Sequence, residues 1–523
     1  MLLGTGVVLA GGAVAVAVTV WPSASEPSRE RSSVSAVEGS PSASPSPSRT
    51  YPLSQEPRTI PAVRQHEAAR GPGWKPAEGG RVVVRNAALA DEGRLTADEL
   101  GLAYAGETEP RDGDVELALN GTGRSSSEAY TLTVKDRRVR IAAPAEAGVF
   151  YGTRTLKQEV RGGTAPEGVV RDEPAKPQRG FMLDIARKHF TAGWIEDRIR
   201  ELGDLKYNQL GLHFSDDQGF RIESTSHPEV VSEQHLTKAQ VKKILDLAES
   251  RHIEVVPEID SPGHLGAVIA GNPGLQLVNA QGVAASGAVD ISKPAAAEVV
   301  DELLDEYADL FDGAYWHLGA DEYRALMVSN PEASYPQLAA AARAKYGSGA
   351  TVADLATGWL NDRAEVMRGH DRTVRAWNDG FFRGGTVQAD KAIQVAYWTG
   401  KEIGARPPVE YLSAGRQVVN YNDEYLYYVL GEPNQFVYPT GQRIYESWTP
   451  RVLRGTTAVS AQYDDQILGG VFAVWCDLAN RQTEAQVAAG VRMPLRALSQ
   501  KLWDPGQPGM GWAEFRELAG RVS

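Results

Sequence analysis

Beyond position 179, short apolar runs alternate with stretches whose apolar residues recur at helical spacing. Runs at 181–186, 209–214, 253–260, 314–320, 373–379, 393–399, 417–422 and 469–477 are rich in aliphatic and aromatic residues and have the lengths of buried strands. Segments 194–205, 237–250, 295–310 and 354–368 lie between them and read as amphipathic helices. Eight such strands predict an α/β chain built as a (β/α)8 TIM barrel, because a doubly wound sheet seldom needs so many. The rhythm ahead of them is different. Strand patterns at 81–84, 115–119, 130–134 and 139–141 precede a helical stretch at 148–160 that aligns Phe150, Thr153, Leu156 and Val160. This predicts a small α+β domain over 58–175, followed by the barrel over 176–523.

The first 21 residues carry no charged side chain and are rich in Val, Ala, Leu and Gly, so 1–22 is expected to be a signal peptide or membrane anchor. More than half of residues 22–49 are Ser or Pro, and a disordered linker is expected over 23–57. An apolar leader with a spacer behind it suits a protein that is secreted or tethered at the cell surface. The formal net charge of -13 argues against a nucleic-acid partner, which would need clustered Lys and Arg. A lone cysteine, Cys476, excludes an internal disulfide and a cysteine zinc cluster.

The candidate chemistry follows from where the polar residues fall. Nearly every barrel strand is followed by a charged, imidazole or aromatic side chain, on the face where barrel enzymes place their sites. In strand order these are Arg187; Asp216 and Asp217; Glu258, Asp260 and His264; Asp321 and Glu322; Trp377 and Asp379; Trp398; Asp423 and Tyr425; Trp475 and Asp477. No metal-ligand spacing or phosphate-binding glycine loop appears among them, so neither metal nor cofactor is expected. Carboxylates mixed with tryptophans point to sugar, whose C–H faces stack on indole while Asp and Arg bind its hydroxyls. Glycosidic cleavage needs a protonated carboxyl for the leaving oxygen and a group that stabilises an oxocarbenium-like transition state. Asp321 and Glu322 are the natural pair, and as neighbours on a strand they point in different directions.

The segment Trp316-His317-Leu318-Gly319-Ala320-Asp321-Glu322 resembles the signature of family 20 glycoside hydrolases, the β-N-acetylhexosaminidases. Arg179 to Arg187, Leu212 to Arg221 and Pro257 to His264 are similar to further family motifs in the same order. The resemblance implies that Glu322 is the general acid/base and Asp321 orients the substrate's 2-acetamido group, whose oxygen attacks the anomeric carbon to give an oxazolinium intermediate. It further implies that Tyr425 bonds the acetamido oxygen, that Trp377, Trp398 and Trp475 wall the pocket, that Arg187 binds hydroxyls of the terminal sugar, and that Asp216 and His264 tune the acid/base. The implied partners are oligosaccharides or glycoconjugates ending in N-acetylhexosamine. Glu322 is accordingly expected to have a raised pKa.

Two departures from the family pattern stand out. Asp477 occupies a position that commonly holds Glu, and Tyr427 stands where an aspartate is expected. Two other readings stay open. A lacto-N-biosidase-like enzyme releasing a disaccharide is suggested by the short Asp477 and opposed by Arg187, which would close the pocket around one sugar. A cell-surface glycan-binding protein would have no need of Asp321 and Glu322 together.

Overall fold

The computed structural model describes residues 50–120, 126–402 and 405–522. The expected leader at 1–22, and the linker as far as residue 49, lie outside them. Among the described residues no helix is long and apolar enough to cross a membrane.

The barrel strands are Gln178–Asp184, Gln209–Ser215, Glu254–Ile259, Tyr315–His317, Thr373–Trp377, Gln394–Tyr397, Val418–Asn420 and Ile467–Trp475. All pair in parallel, and the eighth closes the ring on the first from Gly469 opposite Gln178 to Val474 opposite Leu183. A short side strand, Tyr427–Val429, adds to the eighth. The predicted helices appear as Ala192–Asp204, Lys238–Glu249, Pro294–Leu310 and Val352–Gly369. Thr237 caps the second of these in a capping box with Gln240, and Thr351 caps the fourth with Asp354.

Alternation along the strands divides the barrel core in two. Met182, Trp377, Ala396, Val419, Val471 and Ala473 point inward and pack together. Their strand neighbours Leu183, Val395, Val418 and Phe472 point outward to the helices. Closure depends on Gly469, whose φ of 153° is accessible to glycine and where a β-carbon would overlap the Gln178 carbonyl oxygen. Gly469→Ala is therefore expected to cost about 3 kcal/mol or more, read as a lowered midpoint in thermal unfolding; an unchanged midpoint would refute this account of closure.

The preceding domain is a seven-stranded mixed sheet in the order Gln65–Ala68, Gly168–Asp172, Tyr130–Lys135, Arg138–Ala143, Val115–Leu119, Arg81–Val84, Ala103–Tyr104. Helix Glu146–Arg161 packs on it. The sheet meets the barrel at the end where strands begin. Lys206, just before the second barrel strand, donates to the Tyr130 hydroxyl at 2.9 Å and lies 4.3 Å from the Trp503 ring. Arg179 pairs with Glu128 at 2.7 Å. The opposite end of the barrel is left for the site.

Candidate active site

The fourth strand stops at His317, so the predicted catalytic residues stand on the loop beyond it rather than on the strand. This loop is wound through left-handed backbone at Gly319 (φ 66°), Ala320 (79°) and Glu322 (47°). Non-glycine residues adopt that region at a cost, and such strain persists only where the surroundings hold it. The holding bonds are visible. Asp260 Oδ1 accepts from Ala320 N–H at 2.8 Å, and Asp379 Oδ2 accepts from Glu322 N–H at 3.2 Å. A β-carbon at Gly319 would overlap the Asp260 carboxylate, so glycine is what permits the approach.

Arg187, His264, Asp321, Glu322, Trp398, Trp475 and Asp477 all line one cavity of about 500 Å³ at the strand C-termini. Asp216 and Trp377 are almost fully buried behind it. Trp377 packs 5.8 Å from Trp475 and donates to Glu258 at 2.8 Å. Asp216 ties the wall together: its Oδ2 lies 2.8 Å from Arg187, 2.7 Å from His213 Nε2 and 3.4 Å from His264 Nδ1. Asp184 holds Arg187 from the other side at 3.0 Å.

Tyr425 requires correction. Its ring is buried in the outer core beneath the Arg443 guanidinium, 4.2 Å away, and does not reach the cavity. Tyr427 does reach it, stacked on Trp398 at 5.7 Å with the planes 5° apart. The cause is strand parity: Tyr427 and Val429 face the barrel interior while Tyr428 faces the helices. Alternation in the side strand was the signal that could have found it. Burial raises the Tyr427 hydroxyl well above its ordinary pKa, so it stays protonated as a donor. Sequence reasoning also missed Lys401, Glu402, Asn434, Gln435 and Phe436 along the rim, which lie in loops without periodicity.

The electrostatics correct a second expectation. His264 Nε2 lies 3.6 Å from both Asp321 Oδ2 and Glu322 Oε2. Despite burial, Asp216, Asp321 and Asp260 raise His264 well above its usual pKa, so the ring is cationic. That cation holds Glu322 below the usual carboxyl range, not above it. Behind it His213, buried between Glu258 and Asp216, is itself pushed up to about 10. Asp321 goes the other way: burial and then the Asp260 charge raise it well above normal, while Asp260 is pushed up to about 7. Burial and like charge thus oppose ionising both carboxyls at once. Asp260, His264 and Asp321 bring three potential metal donors within 4.8 Å of one another.

Asp260→Asn would keep the bond from Ala320 and remove the like charge. Asp321 should then ionise more readily, so the acidic limb of the kcat/KM profile is expected to move to lower pH; an unmoved limb would show that Asp260 does not govern Asp321.

Residues 177–505 match the model of the glycosyl hydrolase family 20 catalytic domain, and residues 56–173 match that of its domain 2. A Bifidobacterium bifidum protein named Lacto-N-biosidase is 29% identical over 480 residues, covering 90% of this chain and 42% of that protein. A Beta-N-acetylhexosaminidase of Cellulomonas fimi is 32% identical over 270 residues, 45% of this chain and 53% of the relative. The chain thus spans only about half the length of these relatives, or less. The fold is shared with the Vibrio harveyi exo β-N-acetylglucosaminidase solved with N-acetylglucosamine, at a TM-score of 0.74, 20% identity, and coverage of 92% of this chain and 79% of that one. Both matched domains, in this order, place the chain in glycosyl hydrolase family 20.

Proposed function

We propose that the protein is an exo-acting, retaining β-N-acetylhexosaminidase that works through an oxazolinium intermediate. The observation that carries this reading is the Asp321–Glu322–His264 cluster at the floor of a cavity walled by Trp398, Tyr427 and Trp475. Stacked aromatic rings suit the C–H faces of a pyranose, and Arg187 and Asp477 suit its hydroxyls. Asp321, once ionised, accepts from the acetamido N–H while the Tyr427 hydroxyl donates to the acetamido oxygen. The pair turns that oxygen toward the anomeric carbon, a prepaid intramolecular attack. The leaving oxygen takes its proton from Glu322, which must first be protonated at the expense of the neighbouring imidazolium or of solvent; closing the site over substrate favours that neutral form. Water then opens the oxazolinium from the same face, with Glu322 as base, and configuration is retained.

The apolar leader and the Ser/Pro-rich stretch support export, with action on glycans outside the cell. Hydrolysis of the 4-nitrophenyl β-glycosides of GlcNAc, GalNAc and glucose tests the activity. Both acetamido sugars should react and glucose should be nearly inert, whereas comparable rates on all three would overturn substrate assistance.

A further inference from the structure

The turn that follows the fifth barrel strand, Asn378–Gly380, is buried and bonds to two different parts of the site. On one side it holds the catalytic loop. Just before the turn, Trp377 N–H donates to the Gly319 carbonyl at 2.8 Å, and a β-carbon at Gly380 would lie 2.6 Å from the Ala320 carbonyl oxygen, so the two segments are packed backbone to backbone. Asp379 Oδ2 then accepts from Glu322 N–H at 3.2 Å. Because Glu322 is left-handed there, with φ at 47°, that bond helps fix the direction in which its side chain leaves the loop.

On the other side the same turn holds the aromatic wall. Asn378 Oδ1 accepts from the Trp398 backbone N–H at 2.9 Å, and Asn378 Nδ2 donates to the Thr399 carbonyl at 2.8 Å. Asp379 Oδ1 accepts from the Trp398 indole N–H at 2.9 Å, which fixes the plane of the ring. The turn is itself anchored, since the buried Tyr411 hydroxyl donates to the Asn378 carbonyl at 2.6 Å. Asp379 is only 4% exposed and stands behind the cavity, while Trp398 and Glu322 line it. One planar carboxyl group thus divides its two oxygens between the ring on which a sugar stacks and the main chain of the residue that protonates its aglycone.

Resting on the role of Glu322 proposed above, we propose that Asp379 is a positioning residue for proton delivery, fixing the Trp398 indole and the Glu322 main chain to one another. A sugar stacked on the indole then presents its glycosidic oxygen within hydrogen-bond reach of the Glu322 carboxyl, a geometry in which about 1 Å of misplacement costs about 100-fold. Asparagine at 379 has a single acceptor oxygen, and its amide nitrogen would face a second N–H donor, so one of the two bonds must break.

The test is Asp379→Asn on aryl β-glycosides of GlcNAc whose leaving groups run from dinitrophenol to unsubstituted phenol. Values of kcat/KM are taken on the plateau of each pH profile, so that altered ionisation of Asp321, whose charge acts on Asp379, does not enter. The phenyl glycoside should lose about 100-fold and the dinitrophenyl glycoside about fivefold or less. A general loosening of the fold would not steepen the dependence on leaving group in this way. Equal losses along the series, or none, would overturn the positioning role while leaving the catalytic reading intact. A native protein inactive on the whole series would overturn that reading as well. Should Asp379→Asn fail to fold by circular dichroism, Asp379→Glu, which keeps both acceptors but moves them by one methylene, is carried through the same series, with the same steepening expected and the same equal losses counting against the proposal.

Discussion

Asp321→Asn is expected to slow hydrolysis of an N-acetylhexosaminide about 10³-fold, equivalent to about 4 kcal/mol of transition-state stabilisation, with the loss in kcat rather than KM. The side chain lies buried against Asp260 with its Oδ1 unpartnered, and the acetamido N–H is the group that would satisfy it. In the ground state an amide can stand in for that contact. As the oxazolinium forms, positive charge develops on the nitrogen, and only a carboxylate opposes it in a site without competing water. Steady-state kinetics on the GlcNAc aryl glycoside, with folding checked by circular dichroism, decide the matter. A kcat within tenfold of the native value would show that the charge of Asp321 is not used.

Glu322→Gln should divide substrates by leaving group. A glycoside with a poor leaving group, such as a disaccharide, is expected to lose about 10³-fold, because the amide cannot deliver the proton that the aglycone needs. A dinitrophenyl glycoside should lose about tenfold or less in its first step, since its leaving group departs unaided. The low pKa of Glu322 in the free site does not contradict an acid role. His264 carries the proton at 3.6 Å, and its charge is held in turn by Asp216. Equal losses on the two substrates would assign Glu322 a purely electrostatic part.

How much of this was legible in the sequence depends on whether the signal was local. The barrel strands could be read because burial on both faces leaves continuous apolar runs, and the helices because their apolar residues recur at helical spacing. In the preceding domain, Gln65–Ala68 and Gly168–Asp172 were not foreseen: they pair with each other across some hundred residues, and their pattern is weak without that partner. The fourth strand looked longer than it is because Leu318 and Ala320 are apolar, although the backbone has already turned left-handed there. Resemblance to the family motif points to Tyr425, while parity in the side strand decides that the Tyr427 ring enters the cavity. The charge state of Glu322 could not be read at all. It is set by His264 and Asp216, which arrive from other barrel strands, and by burial that exists only after folding. The rim residues Asn434 to Phe436 carry no periodic signal and reach the cavity on a loop whose backbone is left-handed at Asn434 and Gln435.

In substrate-assisted hydrolysis the nucleophile travels with the substrate. This is tested most directly by measuring kcat/KM for 4-nitrophenyl glycosides whose N-acyl group runs from acetyl through mono- and difluoroacetyl to trifluoroacetyl. Each fluorine makes the carbonyl oxygen a poorer nucleophile without removing the amide. A steep, monotonic fall along the series is expected for the native protein, because the acyl oxygen attacks in the step that is measured. A flat series, with the fluorinated substrates cleaved as fast as the acetyl one, would contradict it.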